Sequence, residues 1–423
     1  MELLNQYGTL LVFITAAFGF FMAFGIGAND VSNAMGTSVG SGTITAKQAI
    51  IIAMIFESAG AYLAGGEVTE TIKSGIIDPM KFVDTPDILV LGMMAALFAS
   101  GLWLLIASRM GCPVSTTHSI VGAVVGFACV TVGKEAVEWS IIKNIVGSWF
   151  ITPVIAGIVA YGILPARKKL IFDTDEPLKN AQKYGPYYMG ITAFILCIVT
   201  LTKGLKHIGL HLNGFEVFLI SLVIGIISIV VCYFYFRSPN FIQKVQRGTF
   251  GGVEKVFSIL MLLTACAMAF AHGSNDVANA IGPLSAVVSI VEHGGQILPK
   301  TQLAWWILPL GAIGIVMGLV VLGYKVMATI GTGITDLTPS RGFAAQFATA
   351  ITVVVASGTG LPISTTQTLV GAVLGVGFAR GIAALNLNVI RNIIASWIVT
   401  LPAGAFLPLS FIMYLALFST NML

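Results

Sequence analysis

Gly27-Ala28-Asn29-Asp30-Val31-Ser32-Asn33-Ala34-Met35-Gly36 returns later in the chain as Gly273-Ser274-Asn275-Asp276-Val277-Ala278-Asn279-Ala280-Ile281-Gly282. Each copy sits at the end of a long apolar run. A carboxylate and two carboxamides in such a setting are costly to bury unless they bind something. This duplicated polar knot marks both the organisation of the chain and its candidate site.

The surroundings of the knots are those of a membrane protein. Of 423 residues, 57% are hydrophobic and 9% charged, whereas soluble domains carry about 25% charged residues. Apolar runs near the ~20 residues that cross a bilayer recur at 7–27, 46–66, 88–108, 144–164, 186–202, 215–236, 253–272, 302–323, 343–358 and 392–418. Segments at 30–44, 113–132, 277–291 and 362–379 are shorter or interrupted by Gly, Pro and hydroxyl residues. They predict broken helices and re-entrant helical hairpins, backbone that is tolerated at membrane depth only where protein covers it or it lines a cavity. The expected fold is an all-α polytopic membrane protein of about 12 membrane segments. Met1 to Gly8 lacks a basic stretch, so the first run does not read as a cleavable signal. The net charge is +4 with the bases in loops, which gives no basic stripe for nucleic acid. The five cysteines are scattered in apolar stretches and read as small packing residues.

The repeat extends beyond the knots. Gly111-Cys112-Pro113-Val114-Ser115-Thr116-Thr117-His118 is echoed by Gly360-Leu361-Pro362-Ile363-Ser364-Thr365-Thr366-Gln367. Asn144 to Trp149 is echoed by Asn392 to Trp397. Asp276 follows Asp30 by 246 residues, Ser364 follows Ser115 by 249, and Trp397 follows Trp149 by 248. Three motifs in one order at nearly one spacing define two homologous halves.

The bases suggest how the halves are disposed. Arg167, Lys168 and Lys169 close the first half, and Arg237, Lys244, Arg247 and Lys255 open the second. Both clusters are expected on the cytoplasmic side, and the base-free N-terminus with Glu2 is expected outside. The halves would then be inverted copies, 1–165 and 253–423, joined by a connecting section 166–252 that holds two transmembrane helices. Asp173 to Pro186 reads as a polar loop within that section, and His207, His211 and His293 as solvated loop histidines.

Asp30 and Asn33 are three apart, as are Asp276 and Asn279, so each pair shares one helix face. Gly27, Gly36, Gly273 and Gly282 would let the helix unwind and release carbonyl oxygens. Carboxylate, amide and carbonyl oxygens suit a small hard cation, and no cysteine joins them to favour a softer metal. The plainer alternative is polar glue between helices, but duplication of the whole motif favours coordination. Each Ser-Thr-Thr cluster follows a Gly-x-Pro turn and opens an apolar run. Hydroxyls and free amides at a helix start form a donor-rich anion site, although a single copy would read as ordinary capping. No Lys or Arg lies inside the four motifs. An anion there would depend on hydroxyls, amides and co-bound cations, which suits a tetrahedral oxyanion such as phosphate or sulfate and a symport mechanism. Glu57 is an intramembrane acid and a candidate ligand, gate or structural partner. His118 and His272 flank the motifs as candidate relays or supporting residues. Arg109 reads mainly as a span-end anchor.

The Gly-x-Asn-Asp-Val-x-Asn-Ala pair and the Gly-x-Pro-x-Ser-Thr-Thr pair resemble the inorganic phosphate transporter (PiT) family over nearly the whole chain. The resemblance implies inverted repeats, phosphate uptake and cation coupling in a sodium-dependent symporter. It implies sodium ligands at Asn29, Asp30, Asn33, Asn275, Asp276 and Asn279, and phosphate-binding hydroxyls at Ser115, Thr116, Thr117, Ser364, Thr365 and Thr366. Glu57, His118, His272 and Gln367 are candidates for coupling or gating. Glu57 matches an acid of the sodium-coupled branch and favours sodium over protons. Two positions depart from the pattern: Gln367 stands where many relatives have histidine, and Gln346 where animal relatives carry an acid. The long cytoplasmic insertion of animal members is missing, which points to a prokaryotic inner-membrane protein. Proton-coupled phosphate or sulfate transport is the alternative. No enzyme is expected, because a phosphatase would need a nucleophile with a base or a metal cluster. The expected partners are inorganic phosphate, sodium ions as co-substrate with no resident cofactor, membrane lipids and, as in many such transporters, a second copy of the chain.

Overall fold

The structure, a computed structural model, describes residues 2–202, 212–247, 251–298 and 302–420. His207 and His211 lie outside the described residues. Fourteen α-helices are found among the described residues. Eight of them are long and apolar enough to cross a membrane. Helices α7 (Pro177–Thr202) and α12 (Pro339–Ser357) fall outside that set.

The two polar knots lie inside unbroken helices. Helix α1 runs Glu2–Gly40 and α10 runs Gly252–Glu292, straight through the segments expected to be interrupted. The reason is packing. A Cβ on Gly27 would sit 1.8 Å from the Ile315 carbonyl oxygen, and one on Gly273 would sit 2.1 Å from that of Glu57. Reciprocally, a Cβ on Gly318 would meet the Phe24 oxygen at 1.8 Å, and one on Gly60 the Phe270 oxygen at 2.0 Å. These glycines bring backbones together instead of loosening a turn. They join α1 to α11 (Ile307–Gly333) and α10 to α2 (Ala46–Ala64). The carbonyls therefore stay within their helices and are not released toward the site.

The contact pattern is reciprocal elsewhere as well. Helix α6 (Trp139–Arg167) runs against α13 (Thr365–Arg380), and α14 (Leu387–Thr420) runs against α5 (Thr116–Thr131). Helices α4 (Pro86–Arg109) and α5 form one hairpin; α12 and α13 form the other. Each turn carries a glycine at positive φ, Gly111 at +70° and Gly360 at +77°, a conformation that other residues adopt only with strain. Thr329 donates to the Gly111 oxygen at 2.9 Å and Thr71 to the Gly360 oxygen at 2.7 Å. Thr71 opens a π-helical turn, Thr71–Gly75, that follows the short α3 (Gly66–Glu70).

Helices α7 and α8 (Gly214–Phe236) pack on each other through Gly190 and Gly225. Between residues 173 and 186, only the first few form a loop, because α7 begins at Pro177, where proline suits a first helical turn. Phe215, Val231 and Phe234 of α8 are exposed, as a lipid-facing surface requires. The short α9 (Pro239–Arg247) follows.

Candidate substrate and ion site

The tips of the two hairpins meet. Thr117 donates to the Ile363 carbonyl at 2.8 Å, and the Thr366 hydroxyl lies 3.3 Å from the Val114 carbonyl, sharing its one proton between that oxygen and Asp30. Ser115 and Ser364 are the N-caps of α5 and α13, accepting from the backbone N–H of His118 at 3.3 Å and of Gln367 at 3.2 Å. Each tip thus brings the capped start of its helix to the point of contact.

Each knot holds its own hairpin with one asparagine and reaches the opposite hairpin with the other. Asn29 donates to the Ser108 hydroxyl at 3.2 Å and the Cys112 carbonyl at 3.0 Å, and its oxygen accepts from the Val114 N–H at 3.0 Å. Asn275 pairs with Ser357 at 3.1 Å. The surrounding donors and acceptors favour the orientation in which its amide also donates to the Ile363 carbonyl at 3.3 Å and to Asp276 at 2.9 Å. In contrast, Asn33 donates to Thr365 at 3.2 Å and Thr366 at 2.8 Å, while Asn279 donates to Thr116 at 3.2 Å and Thr117 at 3.3 Å. Thr365 donates to Asp276 at 2.8 Å and Thr366 to Asp30 at 3.2 Å.

The geometry brings Asp30, Asn33, Asp276, Asn279, Thr116, Thr117, Thr365 and Thr366 into one buried cluster. The Ser115 and Ser364 hydroxyls are engaged as caps, and Asn29 and Asn275 are engaged with the hairpin turns. The second knot carries more. His272 places Nδ1 3.1 Å from Glu57 and Nε2 2.9 Å from Asp276, the latter off the line a hydrogen bond needs. By the reciprocal glycine contacts, Ile315 stands where Glu57 stands and Ile26 where His272 stands. The two knots are alike in their Asp and Asn residues and unlike in this Glu–His–Asp chain.

Asp30 Oδ2, Asn33 Oδ1, Asn279 Oδ1 and Glu57 Oε2 are buried and accept no hydrogen bond. Side-chain ligand atoms of Asp30, His272 and Asp276 lie within 4.8 Å of one another. Unpaired oxygens of this kind are unfavourable in a dry interior and are the ligands a hard cation takes.

Sequence reasoning missed Ser108, Ser357, Thr71 and Thr329, which hold the turns. The repeat carried a signal for the first two, since Ser357 follows Ser108 by 249 residues. Gln346 of α12 bonds to Thr37 and to the Ala34 carbonyl of α1. Arg109 is exposed at the end of α4.

The chain is similar to known proteins along nearly its whole length. A family model described as "Phosphate transporter family" matches residues 26–408. A Haemophilus influenzae protein named "Putative phosphate permease" is 75% identical over 406 residues, covering 96% of this chain and 97% of its own. "Inorganic phosphate transporter 2-1, chloroplastic" of Arabidopsis thaliana is 41% identical over 94% of this chain and 70% of its own. A solved structure, "The sodium-dependent phosphate transporter", superposes with a TM-score of 0.89 at 40% identity, covering 96% of this chain and 99% of its own. The fold and the match place the molecule among multi-pass membrane transporters and not among enzymes. Within that class, the chain belongs to the phosphate transporter family.

Proposed function

We propose that this chain is a sodium-coupled inorganic phosphate symporter that works by alternating access between two inverted halves of a prokaryotic inner-membrane protein. The observation that carries the reading is the group of unpaired oxygens on Asp30, Asn33, Asn279 and Glu57, set against two threonine-rich helix starts.

The charges in the cluster favour sodium binding before phosphate. The Thr365 and Thr366 hydroxyls now donate to the Asp276 and Asp30 carboxylates. A phosphate approaching them meets two carboxylates. At about 5 Å and an effective dielectric of about 20, each pair of like unit charges is unfavourable by about 3 kcal/mol. Sodium ions on the free oxygens reverse that sign. They also take over from the hydroxyls as partners of the carboxylates, so the hydroxyls and the first-turn amides can turn to the oxyanion. Phosphate and sodium then strengthen each other's binding by linkage. Asp30, Asn33, Asp276 and Asn279 are the sodium-facing set in this scheme, while Asn29 and Asn275 act by holding the turns. The reciprocal helix contacts support a pseudo-two-fold relation between the halves, as alternating access would use. The N-terminus is assigned outside on the distribution of bases.

A second reading, proton-driven phosphate or sulfate movement, is favoured by one feature, the Glu57–His272–Asp276 chain. Uptake of labelled phosphate into proteoliposomes, with sodium and proton gradients imposed separately, decides between them. Uptake driven by sodium alone is expected. Uptake driven only by protons would overturn the sodium assignment.

A further inference from the structure

Behind the hydroxyl tips lies a second polar cluster that the transport scheme leaves unused. His118 and Gln367 occupy equivalent positions, 249 residues apart, each three residues after the capping serine of its hairpin. The backbone N–H of each is the donor that its serine accepts. Their side chains point away from the face that Thr116 and Thr117, or Thr365 and Thr366, turn to the knots. His118 packs against Trp149 of α6 with ring centroids 3.8 Å apart and the planes tilted by 41°. It also lies against the Gln367 side chain and the Trp397 backbone of the other half. Trp397 is the repeat equivalent of Trp149, so the cluster is built twice from matching positions.

Its hydrogen bonding is incomplete. His118 Nδ1 and Nε2, Gln367 Oε1, Trp149 Nε1 and Trp397 Nε1 are all buried without a well-formed hydrogen bond, the approaches of His118 to Gln367 and to the Trp397 backbone being polar but loose. Buried polar atoms in such numbers at one place call for an explanation. A packing role alone would be served by apolar side chains of similar size, without leaving these atoms unpaired. Imidazole and carboxamide each hold a donor and an acceptor. Either can give to the other, and they face each other across the boundary between the halves. Apart from this pair, the tips are tied to each other by Thr117 to the Ile363 carbonyl and Thr366 to the Val114 carbonyl.

We infer that His118 and Gln367 form a matched positioning pair that couples the two hydroxyl tips, their loose contact tightening into a full hydrogen bond when the tips draw in around the oxyanion. Neither residue touches the substrate. Each acts through the helix start to which its backbone belongs. The inference rests on the reading that the tips bind phosphate, but its test compares variants with a wild type whose uptake is measured first.

The experiment is phosphate uptake by the full-length protein in proteoliposomes, read as KM and Vmax, with thermal melting of each variant measured alongside. His118→Leu and Gln367→Leu should each raise the phosphate KM about five-fold with a smaller change in Vmax. The double leucine variant should be no worse than either single one, because one interaction is lost in all three. The exchange H118Q/Q367H should keep KM within about two-fold of wild type, since matching surroundings receive matching chemistry. His118→Asn, whose side chain is shorter than that of His118, replaces His118→Leu should the leucine variant fail to fold. An unchanged KM in the single variants would overturn the inference. So would additive effects in the double variant, or an exchange variant as impaired as the leucine ones. Wild-type uptake that needs no sodium would instead count against the proposed function and leave this comparison intact.

Discussion

The Thr366 hydroxyl of the second hairpin donates to the Asp30 carboxylate of the first knot at 3.2 Å, across 336 residues of sequence. Thr365 makes the matching contact to Asp276 at 2.8 Å. The groups that would bind the anion are therefore held by the groups that would bind the cations, and coupling between the two ligands follows from that shared use.

Removing a carboxylate should abolish coupling without unfolding the protein. Asp276→Asn keeps the size of the side chain and an acceptor for Thr365 but removes the charge. Sodium-driven phosphate uptake is expected to fall at least about 100-fold, while thermal melting in detergent stays near that of the wild type. Normal sodium-driven uptake by this variant would refute the cation assignment.

Thr366→Val removes the hydroxyl shared by Asp30 and the anion while keeping the shape of the side chain. The expected result is about a ten-fold rise in phosphate KM, corresponding to about 1.4 kcal/mol, measured as uptake against phosphate concentration at saturating sodium. It also removes the 2.8 Å acceptor of Asn33, so the rise should be larger than for Thr117→Val, whose hydroxyl accepts from Asn279 only at 3.3 Å and is given to the Ile363 carbonyl instead of a carboxylate.

The two asparagines of one knot should separate by readout. Asn29→Ala strips partners from the Val114 N–H and the Cys112 carbonyl, and unpaired backbone groups cost about 1–3 kcal/mol each. It should lower the melting temperature. Asn33→Ala should change the phosphate and sodium concentration dependence while melting changes little. Parallel melting curves and uptake titrations distinguish the two.

Gly27→Val places side-chain atoms on the Ile315 backbone, where a Cβ alone would already stand 1.8 Å from an oxygen. Backbone on both sides cannot yield, so destabilisation of about 3 kcal/mol or more is expected, seen as loss of monodisperse protein on size-exclusion chromatography after mild heating. Gly147→Ala is the contrast, because nothing lies within 4 Å of its Cβ position. It should be neutral or slightly stabilising in its helix.

The all-helical membrane fold could be read from apolar run length, and the paired motifs from their spacing of 246 to 249 residues. What escaped the sequence was decided by distant partners. Gly27 and Gly273 read as points of flexibility, yet the backbones of Ile315 and Glu57 make them points of close approach within continuous helices. The knots read as single ligand sets, yet Asn29 turns to its own hairpin and Asn33 to the other. One helix turn separates those two residues, and only the tertiary arrangement assigns them different tasks. Thr71 and Thr329 carry no local signal, because each is defined by a glycine carbonyl in the opposite half. The start of α7 at Pro177 was masked by a polar stretch that packs as the first turns of a helix.

The central claim is that sodium and phosphate occupy one cluster and bind cooperatively. Calorimetric titration of phosphate into the purified protein, in sodium and then in choline of equal ionic strength, tests it most directly. The account predicts affinity at least about 100-fold tighter in sodium, with phosphate tightening sodium binding by the same factor. Equal phosphate affinity in the two media would contradict it.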